Sequence, residues 1–185
     1  MFTEKLKFSS HTCLVKCFDY VIIELTNSNF VEMISDLTVK YNMDDLIQNL
    51  YNLDNKIAYS RLKELEKISY ESDEVYKFFE TFVEMLDNKN SYIRTRGIIL
   101  ISSNAKWDID NKINSIIDKF LEHIEDEKPI TSRQCIKSLE NIIKYKKELI
   151  PVIKERLLKV NYLKYEDSMQ SLIFKDVEKI LNLIK

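Results

Sequence analysis

The sequence predicts an all-α fold in which helices come in pairs and each pair stacks on the next. Turn punctuation is scarce: 185 residues contain one glycine and two prolines, whereas a β-rich chain needs a turn signal every few residues. Apolar residues recur at spacings of three and four along most of the chain, the signature of amphipathic helices. The chain also resembles itself. Tyr92-Ile93-Arg94-Thr95-Arg96-Gly97 leads into Leu100, and Ile130-Thr131-Ser132-Arg133-Gln134-Cys135 leads into Leu139, with six residues from arginine to leucine in both. A turn, an arginine and an apolar stripe, used twice, mark one helical hairpin followed by the start of another.

The bulk numbers set limits. With 45% hydrophobic and 31% charged residues, the chain has the composition of a folded domain with a sizeable core. Lys and Arg number 28 against 30 Asp and Glu, a formal net charge of −2, and the signs are interspersed. A general binder of phosphate backbones carries a basic excess, so this balance disfavours one. No apolar run approaches the roughly 20 residues of a membrane span. The opening Met1-Phe2-Thr3-Glu4-Lys5 lacks the pattern of a signal peptide. Three cysteines, Cys13, Cys17 and Cys135, make no disulfide framework, and a cytoplasmic location with free thiols is expected.

In the N-terminal third, Leu14, Cys17, Phe18, Val21, Ile22 and Leu25 form one helical stripe, and Phe30, Val31, Ile34, Leu37 and Tyr41 a second. Leu46, Ile47, Leu50 and Tyr51 suggest a short third helix. His11, Cys13 and Cys17 invite a metal reading, but a closed zinc site takes four ligands and no second ligand pair is visible. Buried small cysteines account for them, and no metal site is expected.

From Asp54 onward the pattern is regular. Asp54-Asn55 opens a helix carrying Ala58, Leu62, Leu65 and Ile68. Ser72-Asp73 restarts one carrying Val75, Phe79, Phe82 and Leu86. After Asp87-Asn88-Lys89-Asn90 comes a helix with Ile93, Gly97, Leu100, Ile101 and Ala105. Asp108 or Asp110 then caps one with Ile113, Ile117, Phe120 and Leu121. Thr131 or Ser132 is the expected cap for Cys135, Ile136, Leu139 and Ile142. Pro151 suits the first turn of the next helix, and Asp167-Ser168 starts the last. Gly97, the sole glycine, sits mid-helix on the apolar face, where it costs about 1 kcal/mol relative to alanine. Close approach of a neighbouring helix is the natural compensation, and a hinge is the alternative.

First helices are offset by 35 residues from Tyr59 to Arg94 and by 39 from Arg94 to Arg133. With Ile93-Arg94 after a polar turn, the chain resembles HEAT repeats, in which a turn Asp or Asn precedes a Val-Arg at the head of each first helix. Ser132-Arg133 keeps the arginine of that pattern and Tyr59 does not. The resemblance implies a right-handed α–α superhelix, a HEAT-like repeat solenoid of about three helical pairs plus a final helix over residues 54–185. Residues 1–53 form an N-terminal helical cap, the whole making one compact unit. A single pair cannot bury its own apolar face, so neighbours must stack, leaving a concave face for a partner. The central wording, Tyr92 to Gly97, Asn104-Ala105-Lys106-Trp107-Asp108 and Asp126 to Cys135, is similar to small HEAT-repeat proteins of low-GC Gram-positive bacteria, often labelled SufBD-like. That label implies iron–sulfur assembly, which the cysteines here give no cluster to support.

Arg94, Arg96, Lys106, Trp107, Asp108 and Arg133 are the candidate binding residues. Arginines heading successive first helices either pair with carboxylates of adjacent turns, such as Asp87 and Asp126, or form a cationic strip for an acidic partner or a phosphate. Arg96 is the better candidate for the strip. Trp107 either plugs the end of the core or serves as an interface anchor or a base-stacking surface. His123 fits a helix C-terminus. No nucleophile–base pair, glycine-rich phosphate loop or HExxH occurs, so no catalytic residue and no cofactor is assigned. The expectation is a non-catalytic scaffold or adaptor that binds a protein. The alternative is a nucleic-acid binder or a base-processing enzyme similar to the HEAT-like alkylpurine DNA glycosylases, which needs Arg94, Arg96, Lys106, Lys112 and Arg133 to converge on one concave basic surface.

Overall fold

The structure is a computed structural model that describes residues 43–185. The chain divides at Asp45/Leu46, and the unit described below is Leu46–Lys185. Leu50 is fully buried and its carbonyl accepts a hydrogen bond from Arg96 Nη1, which ties this stretch to the helices that follow. The two apolar stripes over 14–41, and His11, Cys13 and Cys17, lie outside the described residues.

Among the described residues all regular structure is helical. After a 3₁₀ turn at Asn49–Tyr51, seven α-helices follow: α1 Asn55–Glu71, α2 Phe79–Leu86, α3 Ser91–Ser103, α4 Lys112–Glu122, α5 Pro129–Tyr145, α6 Ile150–Leu158 and α7 Asp167–Leu183. None is long and apolar enough to cross a membrane.

The helix starts follow local chemistry. The Asp54 carboxylate accepts from the Lys56 N–H at the head of α1, and Asn90 does the same for Tyr92 at the head of α3, so each satisfies an otherwise orphan donor. Pro151 sits in the first turn of α6. At α4 the cap comes from a distance. Asp108, rather than Asp110, accepts from the N–H groups of Lys112 and Ile113, and the chain reaches that geometry through Asn111 at φ 58°, the left-handed region that Asn tolerates. At α5 the expected caps are wrong. The helix begins at Pro129, and Thr131 and Ser132 are buried inside it. Ser132 Oγ donates instead to the Ile124 carbonyl at 2.6 Å, while Asp126 accepts from the Lys128 N–H. The segments before α2 and after α3 tighten into 3₁₀ turns, Glu74–Phe78 and Ala105–Trp107, so Val75 and Ala105 are buried from turns rather than from helices.

Packing sorts the helices into two rows. α1, α3, α5 and α7 pack each against the next. Their ends match: Thr95 and Thr131, in the first turns of α3 and α5, share a hydroxyl hydrogen bond at 3.0 Å. On α5 and α7, Arg133 pairs with Asp176 and Glu140 with Lys179, a rising register that makes these helices parallel. A second row is stitched by Lys112–Glu80 and Lys119–Asp87 between α4 and α2. Asn114 on α4 donates to Glu148, in the turn before α6. The core between the rows is aliphatic and aromatic, with Phe79, Phe82, Phe120, Leu100, Ile113 and Leu139 all fully buried.

Gly97 explains how close the rows come. A Cβ built there would lie 2.7 Å from the Phe82 carbonyl oxygen and 2.8 Å from Met85 Cβ, both on α2. The absent side chain lets α2 and α3 touch through backbone.

Candidate functional site

Hydrogen bonds that connect one hairpin to the next recur at a sequence separation close to the repeat. Arg94 reaches Asp126 at 32 residues, Thr95 meets Thr131 at 36, Trp107 reaches Ser69 at 38 and Lys146 reaches Asp108 at 38. Three of the six sequence-predicted site residues, Arg94, Trp107 and Asp108, belong to this set.

Arg94 is 7% exposed. Its Nε and Nη2 donate to the two oxygens of Asp126 at 2.7 Å each, and Nη1 donates to the carbonyls of Asn88 and Lys89. Planar two-point pairing of this kind is what a guanidinium supplies and an ammonium does not. Hydrogen bonding to Asp126 raises the Arg94 pKa against the opposing effect of burial. Burial by itself would raise the Asp126 carboxyl. Hydrogen bonds from His123 and Arg94 and from the Lys128 N–H outweigh it and hold that carboxyl well below the usual carboxylate range. His123 Nδ1 lies 3.2 Å from Asp126 Oδ2.

Arg96 is also buried and contributes no free cationic surface. It donates to the Leu50 carbonyl and to Asn55 Oδ1, and burial pushes its pKa down. Arg133 pairs with Asp176 at 2.6 Å. Asp108, 4% exposed, accepts from the Tyr76 hydroxyl at 2.7 Å and from the head of α4, and pairs with Lys146 at 2.9 Å. Burial would raise its pKa, and the bonds from Lys146 and Tyr76 carry it the other way.

Lys106 and Trp107 do come together, at the opposite end of α3 from Arg94 and Arg96. The last carbonyls of α1 lack intrahelical donors. Trp107 Nε1 donates to the Ser69 carbonyl at 2.7 Å and Lys106 Nζ to the Tyr70 carbonyl at 2.9 Å. The turn after α3 therefore caps the end of α1. Lys106 Nζ also stands 4.2 Å from the Trp107 ring centre and 5.6 Å from that of Tyr70, within cation–π range.

This corner opens into a groove of about 390 Å³ running over the C-terminal ends of α1, α3 and α5. Lys63, Lys67, Lys106 and Lys144 line it against a single carboxylate, Glu66, and Tyr70 and Tyr145 supply its aromatic surface. Lys63 is held by Glu66 at 2.6 Å. Lys67 and Lys144 are exposed and make no ion pair among the described residues. Sequence inspection missed Lys67, Tyr70, Lys144 and Tyr145, although a signal was present: Lys67, Lys106 and Lys144 are 39 and 38 residues apart, each with an aromatic residue close behind it in Tyr70, Trp107 and Tyr145. A second cleft, of about 370 Å³, lies between α4 and α6, where Asp118, Glu122 and Glu155 alternate with Arg156 and Lys159. Its mixed charge gives it no single ligand chemistry.

No group of three or more His, Cys, Asp or Glu side chains among the described residues is placed to hold a metal ion. The five cations that a nucleic-acid surface requires each meet a different partner: Arg94 meets Asp126, Arg96 the Leu50 carbonyl, Lys106 the Tyr70 carbonyl, Lys112 Glu80 and Arg133 Asp176. Comparison with protein-family models, with curated proteins and with solved structures finds no match.

Proposed function

We propose that this chain is a non-catalytic protein-binding scaffold, its helical pairs stacked as a right-handed HEAT-like superhelix and its partner held on the surface that the stack presents. One observation carries this reading. The buried charged side chains of the unit, Arg94, Arg96, Asp108, Asp126 and Lys146, are used to join one hairpin to the next. What remains for a partner is surface presented at repeat intervals, the use to which stacked helical repeats are suited. The mixed charge of the chain and a groove built across three helix ends agree with a protein ligand more than with a nucleic-acid track.

The test is capture of partners by the full chain from native lysate, with chemical cross-linking and mapping of the linked peptides. A protein cross-linked to residues of the 46–185 unit, and retained after nuclease treatment, is the expected result. Loss of all recovered material on nuclease treatment, or no protein enriched above a charge-matched control, overturns the reading.

A further inference from the structure

The groove over the ends of α1, α3 and α5 has more organisation than a generic basic patch. Three successive hairpins contribute lysines and aromatic residues: Lys106 stands against Tyr70 and Trp107 and Lys144 against Tyr145, while Lys67 lines the groove alongside Tyr70. The aromatic faces fix where the Lys106 and Lys144 ammonium groups stand. An ammonium has three donors. Lys106 uses one on the Tyr70 carbonyl, and Lys67 and Lys144 have no carboxylate partner among the described residues. Tyr70 is 77% exposed, and tyrosine is enriched at protein interfaces because it adds area with a polar tip.

The occupant follows from charge and spacing. Four lysines against one already paired glutamate call for an anionic ligand. No arginine lines the groove, so an anion there is met by ammonium point charges rather than by planar two-point pairing. Adjacent packed helices lie about 8–10 Å apart. An extended polyproline-like segment advances about 3.1 Å per residue and returns to the same face every third residue, roughly 9 Å on. Carboxylates at every third position of such a segment therefore match the spacing of the packed helices whose ends carry the lysines.

Resting on the scaffold reading above, we infer that this groove binds an acidic, extended segment of a partner protein, with carboxylates three residues apart, each facing the lysine of one hairpin. The experiment uses the full chain and fluorescein-labelled peptides in anisotropy titrations at low and physiological salt. One peptide carries three glutamates spaced by Pro-Ala, a second the same composition with the glutamates adjacent, and a third has glutamine in place of glutamate. A single-stranded oligonucleotide of the same charge is the fourth probe. The spaced peptide should bind, weaken as salt rises, and lose about tenfold or more in affinity with Lys67→Glu/Lys144→Glu. The milder Lys67→Gln/Lys144→Gln should move it the same way. Lys154→Glu/Lys175→Glu, which makes the same charge change on α6 and α7, should leave it within about twofold. Thermal melts of the variants report folding directly. No binding of the spaced peptide, equal binding of the adjacent-glutamate peptide, no loss in Lys67→Glu/Lys144→Glu, or tighter binding of the oligonucleotide at these lysines overturns the inference. If cross-linking still recovers a protein partner at another surface, the scaffold reading stands without this groove. If it recovers none, both fall.

Discussion

Arg94 and Asp126 stand 32 residues apart in sequence and meet through two hydrogen bonds of 2.7 Å, with the carboxylate side chain 3% exposed. The pair joins the head of α3 to the turn before α5. Removing one partner leaves the other charge buried and unpaired, which costs about 3–5 kcal/mol. Arg94→Ala is expected to lower the urea midpoint accordingly. Arg94→Lys should recover only part of the loss, because a lysine cannot make the planar contact. Equal stability of the lysine variant and the native chain would show that charge alone suffices.

Acid should weaken the fold through the same carboxylate. The folded Asp126 pKa is depressed, and that of Asp108 moves in the same direction. The stability that each contributes is complete above the unfolded carboxyl value, near 4, and is lost as pH falls from there toward the folded values. Denaturant midpoints should thus hold steady down to about pH 5 and fall below about pH 4. Asp126→Asn should lower stability at neutral pH and flatten the acid limb. An acid limb of unchanged steepness in that variant would assign the effect to other groups.

Gly97→Ala sets two effects against each other. Helix propensity favours alanine by about 1 kcal/mol. The new methyl, however, would sit 2.7 Å from the Phe82 carbonyl oxygen, and backbone gives way less readily than a flexible side chain. Overpacking of this kind costs about 1–3 kcal/mol, so a net loss is expected in thermal unfolding. A stabilised variant would mean that α2 and α3 can separate without penalty.

Trp107→Phe keeps most of the ring and removes the donor to the Ser69 carbonyl. A buried acceptor left unmet costs about 1–3 kcal/mol. Hydrogen exchange should show faster opening of the last turn of α1 in this variant, while the heads of α3 and α5 stay protected. Uniform loss of protection would indicate that Trp107 supports the whole unit rather than one helix end.

The sequence made the helices legible wherever periodicity and a short-range cap coincide, as at Asp54 with α1 and Asn90 with α3. It misled at α5, where Thr131 and Ser132 look like caps by type. The proline starts the helix earlier, and both hydroxyls are turned to neighbouring carbonyls. The candidate site divided along similar lines. Arg94 and Trp107 were recognisable as special, and Asp126 was foreseen as a partner for the arginine. Asp87 was foreseen too, yet it is taken by Lys119, and Arg133 pairs with a residue of α7 rather than with a turn. Lys67 and Lys144 went unread because a lone lysine in a charge-rich helix carries no local signal. Only the 39- and 38-residue spacing through Lys106 sets them apart, and that becomes visible once the helix ends are known to lie side by side.

The nearest-neighbour pattern of the row has a mechanical consequence. α7 packs chiefly on α5, and its ion pairs run to Arg133, Lys137 and Glu140 of that one helix. Among the described residues, its ion pairs reach no further than the adjacent hairpin. Tension applied at Lys185 would therefore peel α7 away first, and the hairpins behind it in turn, each release lengthening the chain while the remainder keeps its own shape.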